Sequence, residues 1–396
     1  MISVVIGNAS DVKAASAWED RLFSWAPSDV YSVGDFEIEW DNASFGGTLR
    51  VYHRSAPGRV LWSSRDDKAF ISANETDFEA HEERGSFTIH SAVVESLSIQ
   101  TVNHVFSKGD AVYVVGNLYN SWFTSGASYL FEFTQAAEGH LRFQTMVWSN
   151  ECSALFCTKK YNQTILQYES SGQERFFGFG EQFSNVDLKG HVVPILSEEG
   201  GLGRGRQPLT FLANLIAEGI GGTEYTSYAS IPHYLTSLNR SLFLESSEYS
   251  VFDLAKEDSV KVTVQSPAVA GRILYGNTPL ELIERYTEDA GRMQMLPDWL
   301  NQGAIIGMQG GTGALYDYWD LLEQYDTPIG AFWIQDWVGK RQTAIGSQLW
   351  WNWELDRDHY HNWDSLLTVL HDKNIKVLTY FNPFLTDVTS KLNHRT

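Results

Sequence analysis

Up to residue 270 the apolar positions come in short alternating or continuous runs: Phe36–Trp40, Thr48–Tyr52, Val60–Trp62, Ser86–His90, Ala111–Val115, Tyr129–Phe133 and Leu141–Trp148. Clusters of Gly, Asn, Asp and Ser separate them. Short strands broken regularly by turn residues predict a large antiparallel sandwich. The rhythm then becomes helical. Thr278-Pro279-Leu280-Glu281 reads as a capping box with proline at the first helical position, Leu282, Ile283 and Tyr286 continue one face, and Gly291 can end the helix. Leu296-Pro297-Asp298-Trp299 leads out of it. Beyond residue 300, wholly apolar runs alternate with helical stripes. Gly303–Gln309 is a strand closed by Gly310-Gly311; Leu315, Tyr318, Trp319, Leu322 and Tyr325 share a helix face; Ile329–Gln335 is a second strand. Trp363, Leu366, Leu367 and Leu370 form another helical stripe, with Asn362 as N-cap and Asn374 near its end, before a third strand at Ile375–Phe381. Strands apolar on both faces and separated by helices predict parallel βαβ units.

The expected architecture is a β-rich N-terminal supersandwich over residues 1–270, a connecting helix and linker over 271–300, and an incomplete (β/α)8 TIM barrel, its first three strands only, over 301–396. Because a barrel of this kind needs about eight strands, the sequence is read as part of a longer protein.

Composition narrows the partners. With 43% hydrophobic and 20% charged residues the chain reads as globular rather than disordered. A formal net charge of −20 argues against nucleic acid and anionic membrane surfaces and leaves a neutral small molecule open. No apolar run approaches the roughly 20 residues that span a bilayer. Sequons at Asn8, Asn42, Asn74, Asn162 and Asn239 point to a secretory or lysosomal route, the short apolar start Met1–Val5 to the cytosol, so the compartment stays open. Cys152 and Cys157 are too few for a disulfide scaffold or a zinc site and leave bridging undecided. His233, His361 and His371 lack ligand spacing, so no metal or organic cofactor is expected, and nothing sets an oligomeric state.

In a parallel barrel, chemistry gathers at the C-terminal strand ends. Those ends carry Gln309-Gly310-Gly311-Thr312, Gln335-Asp336-Trp337 with a loop to Asn352, and Asn382-Pro383-Phe384. The second is densest: Trp333, Trp337, Trp350, Trp351 and Trp353 lie beside Gln335, Asp336, Arg341, Gln348 and Asn352. Aromatic faces with amides and a carboxylate suit a pyranose, whose C–H faces stack and whose hydroxyls hydrogen-bond. Asp336 is expected to accept such hydroxyls, with a rim ion pair or helix cap as its structural alternative. Trp333, inside the strand, reads as core. In the sandwich half, Phe176–Phe183 and Glu198–Arg206 form a glycine-rich polar stretch in which Glu181 either faces ligand or pairs with Arg204. With no βαβ unit around Gly201–Gly205, a nucleotide site is not expected.

In order along the chain, FGFGEQF at Phe177–Phe183, DLKG at Asp187–Gly190, EEGGLGRGRQ at Glu198–Gln207, GGT at Gly221–Thr223, LPDW at Leu296–Trp299, GMQGGT at Gly307–Thr312, WIQDWVGKR at Trp333–Arg341, LWWNWELD at Leu349–Asp356 and YFNPFL at Tyr380–Leu385 resemble glycoside hydrolase family 31. The resemblance implies a retaining α-glycosidase with a galactose-mutarotase-like N-terminal sandwich on a (β/α)8 barrel. It lies nearest the sulfoquinovosidase-like branch, which holds a sulfonated sugar with two glutamines, an arginine and a tryptophan. Gln309, Gln335 and Trp351 match the glutamines and the tryptophan, but Gln348 stands at the arginine position. A neutral amide lacks the charge that pairs with a sulfonate, so the resemblance implies a neutral α-glycoside, α-glucoside first, with a sulfoquinovoside as the alternative. The family's nucleophile and acid/base follow its fourth and sixth strands, which this sequence does not contain, and Asp336 with Asp387 does not read as a substitute pair. No catalytic residue is therefore assigned, and the chain as given is expected to be inactive. The substrate-binding candidates are Asp336, Gln335, Gln309, Trp351, Trp337, Gln348 and Glu181. A non-catalytic carbohydrate-binding or regulatory protein is the competing reading.

Overall fold

The computed structural model describes residues 28–42, 47–83, 85–120, 125–151, 160–216, 218–343, 346–382 and 386–391. Strands β1 (Asp29–Val33), β2 (Phe36–Asp41), β3 (Thr48–His53) and β4 (Ala56–Ser63) pair antiparallel in chain order. Then come β5 (Ile71–Glu83), β6 (Ser86–Leu97), β7 (Ile99–Lys108), β8 (Ala111–Tyr119), β9 (Ser125–Ala137), β10 (His140–Ser149), β11 (Gln163–Glu169), β12 (Phe176–Gly180) and β13 (Val192–Ile195). A short helix α1 (Leu209–Asn214) precedes β14 (Ser230–Thr236), β15 (Ser241–Leu244), β16 (Ser250–Asp253), β17 (Ser259–Val264), β18 (Ala268–Leu274) and helix α2 (Pro279–Ala290). These strands build an eight-stranded sheet ordered β12-β14-β15-β18-β10-β9-β8-β7 and a six-stranded sheet ordered β13-β16-β17-β11-β5-β6.

The predicted period of two accounts for the packing. Along β8 and β10, buried residues alternate with half-buried ones, so each strand gives one face to the interior. Phe36 and Ile38 from the first sheet, Val112, Phe131 and Phe143 from the second, and Leu166, Val260 and Val262 from the third meet in one core. Helix α2 seats Leu282 against Phe243 and Leu274. Thr278 caps it by accepting the Glu281 N–H at 3.2 Å, and Gly291, at φ +92°, ends it by donating to the Thr287 carbonyl. The stretch 271–300 is thus shared: its strand and helix belong to a first unit ending at Arg292, and Met293 opens a second.

The second unit contains β19 (Ala304–Met308), α3 (Gly311–Gln324), β20 (Ile329–Ile334), the hairpin β21 (Lys340–Thr343) and β22 (Gly346–Leu349), α4 (Trp363–Asp372) and β23 (Lys376–Thr379). β19, β20 and β23 form a parallel sheet in that order. Met308, Phe332 and Ile334 pack with Leu315 and Trp319 of α3 and Leu366 and Leu370 of α4. The opposite face leaves Ile305 and Trp333 42% and 38% exposed. Trp333 is therefore not core as expected: alternation along β20 turns it away from the helix-covered side. Asn362 does precede α4, but it is left-handed at φ +55° and its side chain makes no cap hydrogen bond.

Cys152, Cys157, the sequon at Asn8, and Pro383 and Phe384 lie outside the described residues. Two other sequons are engaged in the sandwich: the Asn74 amide donates to Gln163 at 2.7 Å, and that of Asn162 to the Thr76 carbonyl at 2.9 Å. Among the described residues, no helix is long and apolar enough to cross a membrane, and no group of three or more His, Cys, Asp or Glu side chains is arranged to hold a metal ion.

Candidate functional site

The C-terminal ends of β19 and β20 bring two predicted residues together. Gln309 follows β19, Gln335 follows β20, and the Gln309 amide nitrogen donates to the Gln335 amide oxygen at 2.8 Å. Both line an open cavity of about 410 Å³, with Ile306, Gly307, Met308 and Tyr318. The parallel register that pairs Met308 with Ile334 puts the two glutamines at equivalent positions.

Asp336, one residue further, is occupied differently from the expectation. Its side chain is 0% exposed. Oδ1 accepts the Tyr360 hydroxyl at 2.5 Å. Oδ2 accepts the Gly310 N–H at 2.8 Å and the His359 Nε2–H at 2.7 Å, with Lys340 Nζ at 3.4 Å. Protein donors thus hold both Asp336 oxygens, and solvent does not reach them. Burial alone would raise the Asp336 pKa, but the bonds from Tyr360, His359 and Gly310 outweigh it and hold the carboxyl below its usual range. Burial, then the bond to the adjacent carboxylate, drives the Tyr360 hydroxyl well upward, so it remains a donor.

Glycine is required where α3 begins. Gly310 and Gly311 have φ of +122° and +82°, and a Cβ on Gly311 would lie 2.4 Å from the His359 carbonyl oxygen. Thr312 donates its N–H to that carbonyl at 3.3 Å and its hydroxyl to the His361 carbonyl at 2.8 Å. Asp356 supports the same loop by accepting the N–H groups of Asp358 and His359 at 3.1 and 3.0 Å. Sequence reading missed His359 and Tyr360. They lie 23 and 24 residues from Asp336, and no local spacing marks a pairing across an intervening hairpin.

The tryptophan-rich loop is pinned to the end of β23. Trp337 donates its indole N–H to the Tyr380 carbonyl at 2.8 Å, and Trp353 donates to that of Asn382 at 2.9 Å. Phe381 lies against both rings, at 5.3 and 5.9 Å. Trp337 is buried, so it supports the wall rather than presenting an open face. Trp351 is half-buried and left-handed at φ +47°. Gln348 on β22 sits directly across from Arg341 on β21, so the two side chains share a face of the hairpin. The Arg341 guanidinium lies 5.6 Å from the Trp350 ring centre. Asp387, exposed, accepts the Thr389 N–H at 2.9 Å, a local turn contact that lowers its pKa. Glu181 belongs to the first unit, where its side chain is exposed and its N–H donates to the Ala229 carbonyl. Arg204 does not take Glu181 as partner: its guanidinium lies 3.7 Å over the Phe183 ring.

No protein-family profile matches the chain. Over 355 residues it is 25% identical to a sulfoquinovosidase of Escherichia coli, covering 89% of this chain and 48% of that protein. Over 329 residues it is 26% identical to a sulfoquinovosidase of Agrobacterium fabrum, covering 83% of this chain and 46% of that protein. The chain thus spans about half the length of these curated relatives. Its fold matches the structure of a GH31 family sulfoquinovosidase from E. rectale, solved with an aza-sugar inhibitor, with a TM-score of 0.74 at 23% identity over 86% of this chain and 48% of that one. The chain is thus similar to sulfoquinovosidases over most of its own length and shares the fold of a GH31 family enzyme.

Proposed function

We propose that the protein hydrolyses O-glycosidic bonds in α-glycosides with retention of configuration, and that residues 301–396 contribute the first three strands of the (β/α)8 barrel that binds the sugar. The observation that carries this reading is the Gln309–Gln335 amide pair, which lies at the C-terminal ends of adjacent parallel strands beside an open cavity. The uncovered apolar face of the sheet at Ile305 and Trp333 supports the barrel assignment. The roles of this chain's residues are binding roles: Gln309 and Gln335 hydrogen-bond the sugar, Trp351 and Gln348 flank it, and Trp337 and Trp353 hold the loop against β23. A retaining mechanism needs two carboxyl groups about 5–5.5 Å apart, and none of these residues is assigned to that pair.

A neutral α-glucoside is the first substrate, because Gln348 brings no charge to the hairpin. A sulfoquinovoside is the second reading, favoured by the two relatives and by Arg341, whose guanidinium shares a hairpin face with Gln348. Full-length protein assayed on p-nitrophenyl α-D-glucopyranoside and p-nitrophenyl α-D-sulfoquinovoside separates them. Release from the glucoside, with the α-anomer formed first by NMR, supports the first reading. Preferential release from the sulfonated sugar, abolished by Arg341→Met, supports the second. No turnover of either would overturn the proposal.

A further inference from the structure

We infer that Asp336, His359 and Tyr360 form a latch that positions the Gln309–Gln335 pair, so that these three are positioning residues for sugar binding; this rests on the amide pair being the sugar-binding group. Helix α3 begins at Gly311 with Gly310 as its cap residue, and glycine has no side chain to bind the free amides of the first turn. Asp336, from the neighbouring strand, accepts the cap residue's own N–H, that of Gly310, while the His359 carbonyl takes the Thr312 N–H, and a carboxylate there also meets the positive end of the helix dipole. The bond joins the ends of β19 and β20 one residue beyond Gln309 and Gln335, and so sets how far apart the two amides stand.

A buried carboxylate held by a single amide would be costly. Tyr360 and His359 bring the further donors, and both come from the loop that Asp356 shapes. That loop is fastened in turn to the start of α3 through Thr312, whose N–H and hydroxyl reach the His359 and His361 carbonyls. Gly311 lets the two segments approach, since a Cβ there would strike the His359 carbonyl. Strand end, helix start and loop are thereby joined around one carboxylate. Its acceptor positions are filled by protein, so its effect on a sugar passes through the neighbouring amides.

The test uses full-length protein carrying Tyr360→Phe, which removes one donor with little change of shape, and His359→Leu, with His359→Gln as the conservative variant that keeps an N–H. Hydrogen exchange at Gly310, a crystal structure of each variant and kinetics on the cleaved α-glycoside are measured. We expect Gly310 to exchange about tenfold faster in Tyr360→Phe and His359→Leu, the loss of one hydrogen bond being worth about that factor. The Gln309–Gln335 bond should lengthen past hydrogen-bonding distance. KM should rise about fivefold to tenfold with kcat within about twofold, and His359→Gln should restore most of it. Faster exchange with an unchanged KM would overturn positioning and leave a purely structural contact. An intact amide pair in the variants would overturn the latch itself. If the wild-type protein turns over no α-glycoside, the proposed function falls separately, and the latch is judged by exchange and by the separation of the pair: change upholds it, no change overturns it.

Discussion

Among the described residues, each of the two units buries one carboxylate completely, and they stabilise it in opposite ways. In the first unit Glu174, 0% exposed, is gripped by the Arg240 guanidinium through both carboxylate oxygens and also accepts the Ser170 hydroxyl. Lys189 donates to the same Ser170 hydroxyl at 2.9 Å. Burial would raise the Glu174 pKa, but Arg240 and the Thr236 and Ser170 hydroxyls keep it below its usual range. In the second unit Asp336 faces a backbone amide, a phenol and an imidazole, with its lysine at 3.4 Å. Glu174 has the full, geometrically matched charge of an arginine fork. Asp336 draws its partners from three separate segments, so its anion organises loops. The first arrangement secures a core, while the second makes the geometry of strand ends depend on one side chain.

The largest expected effect breaks the first arrangement. Glu174→Gln leaves the Arg240 charge buried without a counter-charge and should cost about 3–5 kcal/mol, read as a lower urea midpoint at unchanged slope. A loss below about 1 kcal/mol would mean that solvent reaches Arg240 and that the contrast between the units is not one of burial.

Next in size is an acid limb from three histidines of the first unit. His233 stacks on Tyr286 at 3.9 Å with planes 6° apart, faces Ser241 at 3.0 Å, and burial pushes its pKa down to about 4. Burial also lowers His140, whose Nε2 lies 3.4 Å from Glu288, and His53, stacked on Tyr275 at 3.6 Å. Because the unfolded imidazole titrates near about 6.5, the folded state binds fewer protons below that pH. Stability is therefore complete above about pH 6.5 and falls as the pH drops towards 4, by up to about 3 kcal/mol for His233 alone. His233→Phe keeps the stack without the titration and should flatten this limb between urea curves at about pH 7 and pH 4.5. An equally steep fall in the variant would move the acid sensitivity elsewhere.

Asp336→Asn comes third. The amide keeps the shape but has only one acceptor oxygen and turns an NH2 group toward a donor, which should cost about 1–3 kcal/mol and lower kcat/KM for an α-glycoside by about tenfold or more. Wild-type turnover with a wild-type midpoint would remove the contrast with Glu174.

What the sequence made legible follows the same division. Features written within a few residues were readable: the period of two that made β8 and β10, the stripe Leu315–Trp319, and the two glutamines closing consecutive strands. Features that depend on distant partners were not. Trp333 read as core because a single strand does not say which of its faces is covered. The partners of Asp336 were hidden because Tyr360 and His359 are joined to it only after the hairpin β21–β22 folds back. An ion pair of Glu181 with Arg204 was one of two open readings by charge, whereas Arg204 found an aromatic ring.

The smallest effect sharpens the comparison most directly, because helices α2 and α3 are capped in the two ways that divide the units. The cap of α2 is local: Thr278 accepts the Glu281 N–H, while the Glu281 carboxylate accepts the Asn277 N–H at 2.8 Å, one residue before the partner a standard capping box would use. The cap of α3 is tertiary, from Asp336. Thr278→Ala should cost about 1 kcal/mol and speed exchange at Glu281 without altering residues 301–396. Glu281→Ala should cost less, since the Asn277 amide it frees is exposed and water can replace the carboxylate. A local cap then fails locally. If Thr278→Ala also loosened Gly310, the two helices would be coupled through the connection between them, and the independence of the two capping modes would be lost.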